Sequence, residues 1–164
     1  MTAPTRPTLL SSCARAATAA EARYRIDGAP RSPRSIRVVA LDPGAAEVVH
    51  SLDGQPWRGT RFLTYHGDAG GVADIVLSTP AGSSVRLSDE LLDADFLMML
   101  ATADGGAPAA LVVGVACALR GVMTAGVVLG DSEAAVSALR PHARVLLVTR
   151  DPQDVVALLS AVAG

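Results

Sequence analysis

Hydrophobic positions along the chain alternate between short unbroken runs and longer stretches with helical spacing. The short runs are rich in β-branched residues and leucine, and they predict strands at residues 36–41, 60–65, 74–79, 95–102, 122–130 and 143–150. The other stretches predict helices at residues 44–52, 107–121, 131–141 and 151–163. Residues 80–87 either fold back as a hairpin or lead into a helical turn at 88–93.

The order of these elements predicts the fold class. Strands that are apolar throughout are typical of a parallel sheet covered by helices on both faces. Alternation of such strands with helices predicts a three-layer, doubly wound, mostly parallel α/β domain of the Rossmann-like type, which we place at residues 36–164. We expect the helix at 107–121 to be buried nearly all round, because its apolar run is broken only at Arg120.

Residues 1–35 form a segment of different composition, an Arg-rich N-terminal arm that ends in a Pro, Gly, Ser and Arg linker at 28–35. Residues 1–37 hold seven Arg against two acidic residues, whereas the remainder holds seven Arg against fourteen. A basic arm on an acidic domain is expected to dock on that domain, on a neighbouring subunit or on a polyanion. Nucleic acid is not the expected partner, because the arm has one aromatic residue, Tyr24, and no recognisable nucleic-acid-binding motif.

Composition excludes several kinds of chemistry. All 14 basic residues are Arg, so a Schiff base, a lysine general base and a Walker-type phosphate lysine are excluded. Cys13 and Cys117 match no metal-binding spacing, and two such thiols suit a reducing cytoplasm, where we expect the protein to reside. The N-terminal composition also resembles that of an organellar transit peptide, but it lacks the apolar core of a secretory signal. The apolar run at 109–119 is too short for a membrane span.

Aspartates follow five of the predicted strands, at the sheet edge where α/β proteins bind ligands. These residues are Asp42, Asp68, Asp104, Asp131 and Asp151. One interpretation is an acidic rim that binds a divalent cation. The other is helix capping, which the Asp-Pro pairs at 42–43 and 151–152 favour, and which also suits Asp131 or Ser132. We favour capping for these three strand ends and predict no metal site, while Asp68 and Asp104 lack such an explanation.

Two glycines before the helix at 107–121 are the best candidates for an anion cradle. Gly105 and Gly106 are placed to present backbone N–H groups to a phosphate, although Asp104 adds a negative charge beside them and no GxGxxG motif is present. The candidate cofactor-binding residues are therefore Asp42, Gly44, Gly67, Asp68, Asp104, Gly105 and Gly106. The cofactor stays unknown. His66 is a candidate base or ligand, but no nucleophile–base pair identifies catalytic residues.

Two segments carry a resemblance to a known family. Residues 90–129 are similar in layout to the strand, glycine loop, helix and strand of bacterial tubulin-like (FtsZ-type) GTPases, and residues 139–155 resemble the strand and helix that follow. The resemblance covers about residues 36–156 and implies a Rossmann-like nucleotide-binding fold. The family's phosphate loop is reduced here to "ADGGAPA" at 103–109, a departure that argues against GTP hydrolysis and polymerisation.

These observations favour a non-catalytic binding, regulatory or accessory module that acts through self-association or a protein partner. In this hypothesis the glycine turns are structural and the arm makes the contacts, so that deleting residues 1–30 abolishes assembly. The alternative is a small nucleotide- or cofactor-binding enzyme, in which Gly105 and Gly106 hold the phosphate and Asp104 or Asp68 binds Mg²⁺ or ribose. Neither hypothesis places the protein in a membrane.

Overall fold

A computed structural model of the chain describes residues 34–67 and 75–163. The predicted arm, apart from its last two residues, lies outside the described residues, as do Cys13 and Asp68. The described ranges contain seven strands and five helices. The strands are β1 (Ile36–Ala40), β2 (Thr60–Tyr65), β3 (Val76–Ser78), β4 (Ser84–Arg86), β5 (Phe96–Ala101), β6 (Met123–Leu129) and β7 (Val145–Thr149). The helices are α1 (Pro43–Asp53), α2 (Leu87–Glu90), α3 (Gly106–Arg120), α4 (Glu133–Leu139) and α5 (Pro152–Ala163).

The strands form one mixed sheet in the order β4-β3-β2-β1-β5-β6-β7. The five strands from β2 to β7 in that order are parallel, and β3 and β4 add an antiparallel hairpin beyond β2. Residues 80–87 thus provide both the hairpin and the start of the helical turn α2. The doubly wound, mostly parallel α/β fold predicted from the sequence is confirmed.

The position of β1 creates the topological switch point of the sheet. Numbered along the chain, the five parallel strands have the order 2-1-3-4-5, one of the common doubly wound orders. The chain leaves β1 towards β2 and leaves β5 in the opposite direction, towards β6. The two connections therefore diverge above the neighbouring carboxyl ends of β1 and β5. Ligands of open α/β sheets bind in the crevice formed by this divergence.

Alternate residues of the central strands pack into two separate cores. Val38 and Met98 face α1 and α5, whereas Val39 and Met99 face α2, α3 and α4. Every residue of β1 and β5 is buried, because both strands lie inside the sheet and have helices on both faces. Burial of each large apolar side chain of these strands stabilises the fold by roughly 1.5–3 kcal/mol, and together they hold the ends of β1 and β5 at a fixed separation.

Two predictions of burial, of the helix at 107–121 nearly all round and of the strand at 143–150 on both faces, are wrong. On α3, Leu111 and Leu119 are more than half exposed, because a helix that covers a sheet turns only one side to it. On β7, Val145 and Val148 are 52% and 50% exposed, because β7 is the last strand of the sheet. None of the described helices has both the length and the apolar character needed to span a bilayer.

A buried ion cluster ties α2 to the sheet near the amino ends of β1 and β2, at the opposite end of these strands from the switch point. Glu90 accepts a hydrogen bond from Arg37 Nε at 2.7 Å, and both residues are only 6% exposed. The other carboxylate oxygen of Glu90 lies 3.1 Å from Arg61 Nη1. Arg37 and Arg61 are paired in register on β1 and β2, so one carboxylate bridges arginines on two adjacent strands.

Candidate functional site at the switch point

The switch-point crevice begins at Asp42, where β1 gives way to α1. Asp42 is the N-cap residue of α1, and its Oδ1 accepts a hydrogen bond from the backbone N–H of Ala45 at 2.9 Å. Pro43 occupies the first helical position, where its missing N–H costs nothing. The capping role predicted for the Asp-Pro pair at 42–43 is therefore confirmed, and the cap fixes the carboxylate at the end of β1.

The same carboxylate also reaches across the crevice to the loop that follows β5. Asp42 Oδ2 accepts hydrogen bonds from the backbone N–H groups of Thr102 at 2.7 Å and Ala103 at 3.1 Å. Asp42 Oδ1 accepts a third bond from Thr102 Oγ1 at 2.6 Å. Including the cap bond from Ala45, four donors from two diverging connections converge on one buried side chain.

These contacts determine the charge of Asp42. Burial by itself raises the pKa of its carboxyl group, but the hydrogen bonds from Thr102, Ala45 and Ala103 outweigh that effect and leave the pKa below its ordinary value. Asp42 is therefore ionised at neutral pH. Backbone N–H groups that converge in this way form an anion site, and here the anion is a side chain of the protein itself.

Gly44 and Gly106 are the two predicted site residues that pack directly around this contact. A Cβ atom on Gly44 would lie 2.2 Å from Thr102 Oγ1, and one on Gly106 would lie 2.9 Å from Asp42 Oδ2. Real Cβ atoms do not approach neighbours so closely. Both glycines are therefore needed for the close approach of the two connections, whatever else they do.

Asp104 and Gly105 lie on the same loop but outside the Asp42 contact. Gly105 is exposed, and nothing lies within 4 Å of a Cβ built on it. The exposed Asp104 accepts a hydrogen bond from Ser132 Oγ, and Ser132 caps α4 through the N–H of Ala135. Asp104, which the sequence leaves without a structural role, thus links two successive strand ends.

The remaining strand-end aspartates have local partners. Asp131 forms a two-pronged ion pair with Arg150, and both side chains are exposed. Asp151 accepts a hydrogen bond from the backbone N–H of Gln153 at 2.9 Å, as expected of an Asp that precedes a helix with Pro152 in its first position. Among the described residues, no group of three or more His, Cys, Asp or Glu side chains is placed to hold a metal ion.

A cavity of about 430 Å³ opens beside the Asp42 contact, between the ends of β1 and β2. Its lining includes three of the predicted site residues, namely Asp42, Gly67 and Gly105. Gly67 has a φ of +82°, a conformation that favours glycine, at the point where the chain leaves β2. The structure thus brings together Asp42, Gly44, Gly105 and Gly106, with Gly67 across the cavity, whereas Asp68 lies outside the described residues.

A second cavity, of about 530 Å³, adjoins the first on the α1 side of the sheet. It exists because the β3–β4 hairpin extends the sheet beyond β2, past the outer side of α1. Thr64 and His66 from the β2 end and Ser78 from β3 line it opposite His50 of α1, and His66 hydrogen-bonds to Ser78. Sequence reasoning singled out His66 alone, because the hairpin partner Ser78 is identifiable only once the register of β2 and β3 is known.

Two further residues acquire roles from the fold. The sequence pattern predicts Thr102 only as the last residue of a strand, yet it supplies two of the four bonds to Asp42. The two residues are sixty positions apart, and only the adjacency of β1 and β5 identifies the pair. Cys117 is buried in the core, and burial raises the pKa of its thiol to about 12, so it serves there as a small hydrophobic residue.

Comparison with known proteins supplies no family for the chain. The resemblance of residues 36–156 to tubulin-like GTPases therefore stays a resemblance of layout, and any function has to be argued from the geometry of the switch point. No protein-family model and no curated protein sequence matches this chain.

Proposed function

We propose that the protein is a non-catalytic binding or regulatory module that acts through contacts with protein surfaces. The single observation that carries the proposal is the Asp42 carboxylate, which occupies the backbone donors at the switch point. These are the groups that a phosphate would use in a nucleotide-binding relative of this fold. With a fixed anion already on them, the site disfavours a second anion by direct charge repulsion.

The completeness of the hydrogen bonding points the same way. Within the described residues, no buried side-chain nitrogen or oxygen atom lacks a hydrogen-bond partner. A site built to bind a polar ligand by hydrogen bonds often leaves donors or acceptors free when the ligand is absent. The switch point leaves none among its buried side chains, which supports a structural role for the contact between Asp42 and Thr102.

Contacts with proteins are supported by the apolar side chains on the outside of the domain. Leu92, Leu111 and Leu119 are all more than half exposed, and α3 has no charged residue before Arg120. Leu111 and Leu119 share α3, whereas Leu92 follows α2, and large exposed apolar side chains are typical of protein-binding surfaces. A module of this kind functions through what its surface binds, which agrees with the lack of a nucleophile–base pair in the sequence.

The cavity beside Asp42 favours a second candidate function, the binding of a small molecule or cofactor by an enzyme. Its lining by Asp42, Gly67 and Gly105 is the observation that supports this candidate. Because Asp42 is ionised, a ligand that enters there is expected to be neutral or cationic near the carboxylate. A nucleotide would have to place its phosphates at Gly105 and Gly106 without using the N–H groups that Asp42 binds.

A ligand screen separates the two candidates. The melting temperature of the full chain is measured with ATP, GTP, NAD, flavins and acyl-CoA, each with and without Mg²⁺. The proposed function predicts no shift with any of them. A ligand at 100 times its dissociation constant adds about 2.7 kcal/mol of stability, which raises the melting temperature by several degrees. A shift that Asp104→Ala removes would replace the proposed function with the cofactor-binding enzyme.

A further inference from the structure

The two edges of the sheet differ in how well they are protected against pairing with another strand. At one edge, β4 has only three residues and carries the exposed Ser84 and Arg86. At the other edge, β7 has five residues with the sequence VLLVT and no charged side chain. Short strands and charged side chains are the usual means of blocking edge pairing. The β4 edge has both, and β7 has neither within its length.

The exposed side of β7 is also apolar on both faces of the sheet. Val145 and Val148 are about half exposed, and they project to opposite faces because their positions differ by an odd number. No other strand of the described residues pairs with the outer side of β7. The backbone groups on this side of β7, which no described strand pairs with, can accept an additional strand, and that strand would cover the two valines.

Beside β7, one side of α4 carries a self-complementary pair of charges. Glu133 and Arg140 are seven positions apart, which places them on the same side of the helix two turns from each other. Neither forms an ion pair with another described residue. Val136 and Ser137 lie between them, and with Val148 they line a cavity of about 540 Å³ between α4 and β7.

We propose that this surface, formed by β7 and the flank of α4, binds a second copy of the same chain about a two-fold axis. A two-fold axis runs the two β7 strands antiparallel, so that the sheet continues from one copy into the other. It also runs the two α4 helices antiparallel, so that Glu133 faces the partner's Arg140 and Arg140 faces the partner's Glu133. An isologous contact needs such self-complementarity. Val145 and Val148 then form the apolar centre of the contact between the two copies, and Glu133 and Arg140 form its charged rim.

This inference rests on the proposed function, since it names the protein surface and the partner through which the module acts. A second copy is favoured over an unrelated partner because one surface carries both charges of the pair, at a spacing that a two-fold axis matches. The sequence-based expectation gives the contact instead to the N-terminal arm, which is Arg-rich and would match Glu133 but offers only two acidic residues to Arg140. The two assignments predict different effects of substitutions on β7.

The test measures the mass of the full chain by size-exclusion chromatography with light scattering over a range of concentrations. The wild-type chain is expected to have twice the mass of one chain. Val148→Lys is expected to reduce the mass to that of one chain, because it places a charge at the centre of the contact. Val76→Lys is the matched control, since Val76 is a strand valine of similar exposure (47% against 50%) near the opposite edge of the sheet. It should keep the wild-type mass.

Charge reversal tests the two-fold arrangement itself. Glu133→Arg places Arg opposite Arg at two symmetric positions, and Arg140→Glu places Glu opposite Glu. Each single variant is expected to raise the dimer dissociation constant by about tenfold or more. The double variant restores opposite charges and should return the constant to within about threefold of wild type. If the single variants dissociated only because they unfold, the second reversal would not restore the dimer. Each reversal opposes the dipole of α4, and the double variant carries both.

Several results would overturn the inference. A wild-type chain that stays monomeric, or a dimer whose mass Val148→Lys leaves unchanged, excludes the β7 surface as the contact. A double reversal that dissociates as readily as the single variants excludes the two-fold pairing of Glu133 with Arg140. These failures leave the proposed function standing with another partner or surface. That function fails separately, by a positive result in the ligand screen.

Discussion

Asp42, at the end of β1, and Thr102, at the end of β5, are joined by two hydrogen bonds across the switch point of the sheet. Thr102 donates its backbone N–H to Oδ2 and its hydroxyl to Oδ1 of the carboxylate. The pair connects α1 on one face of the sheet with α3 on the other. A crevice that holds a bound anion in many α/β proteins is here closed by a residue of the chain itself.

Removal of the Asp42 carboxylate is expected to destabilise the fold strongly. Asp42→Ala loses the N-cap of α1 and leaves the buried N–H groups of Thr102 and Ala103 without an acceptor. We expect the free energy of unfolding to fall by about 2–4 kcal/mol, measured by urea denaturation. Asp104→Ala, which removes an exposed carboxylate from the neighbouring loop, is the control and should change the free energy by less than about 1 kcal/mol. Equal effects of the two substitutions would show that Asp42 has no special role.

The vacated donors should then bind an external anion. In Asp42→Ala, the N–H groups of Ala45, Thr102 and Ala103 are free to bind phosphate or sulfate at the switch point. We expect millimolar phosphate to raise the melting temperature of Asp42→Ala by several degrees more than that of the wild type. Sodium chloride at the same ionic strength controls for screening. A variant with the same phosphate response as the wild type would mean that these donors do not form an anion site.

The stability contributed by Asp42 should depend on pH in a defined direction. The hydrogen bonds hold its pKa in the folded protein below 3.8, so the folded state binds the proton less readily than the unfolded chain does. The contribution is therefore complete above the unfolded pKa and is lost as the pH falls through the lower, folded pKa. We expect the difference in unfolding free energy between wild type and Asp42→Asn to be constant from neutral pH to about pH 5 and to shrink below about pH 4. A difference that grows on acidification would contradict the low pKa.

Three glycines of the candidate site should respond differently to alanine. A Cβ on Gly44 or on Gly106 would collide with Thr102 or with Asp42, so each substitution is expected to lower the free energy of unfolding by about 1–3 kcal/mol. Gly105→Ala meets nothing within 4 Å and has an ordinary negative φ of −59°. It should change stability by no more than about 0.5 kcal/mol. Thermal and urea unfolding of the three variants test this order, and a costly Gly105→Ala would point to a contact of Gly105 outside the described residues.

The buried ion cluster of Arg37, Arg61 and Glu90, near the amino ends of β1 and β2, should also be sensitive to substitution. Glu90→Ala leaves Arg37 charged, buried and without its partner, and it is expected to cost about 3–5 kcal/mol. Asp89→Ala removes an exposed carboxylate from the same turn of α2 and should change stability by about 0.5 kcal/mol or less. Urea denaturation of both variants at neutral pH provides the comparison. Similar midpoints would mean that solvent reaches Arg37 once Glu90 is removed.

The fold was predictable from the sequence because its signals are local. Unbroken apolar runs such as the one at 95–102 predicted buried strands, and the Asp-Pro pair at 42–43 predicted a capped helix start. The partner of Asp42 was not predictable, because no local pattern distinguishes Thr102 from any other threonine that follows a strand. Their contact depends on β1 and β5 being neighbours, a property of strand order. For the same reason Arg37 gave no sign of its pairing with Glu90.

The position of β1 inside the sheet has a consequence for synthesis on the ribosome. β1 and β2 are complete once residue 65 has emerged, but the second edge of β1 has no partner until β5 ends at residue 101. At ~5–20 residues per second, the 61 residues from 41 to 101 take about 3–12 seconds to synthesise. During that interval the nascent chain presents an open strand that is apolar apart from Arg37. Asp42 meets Thr102 only when the interval ends, so their hydrogen bonds form only once β5 is available to pair with β1.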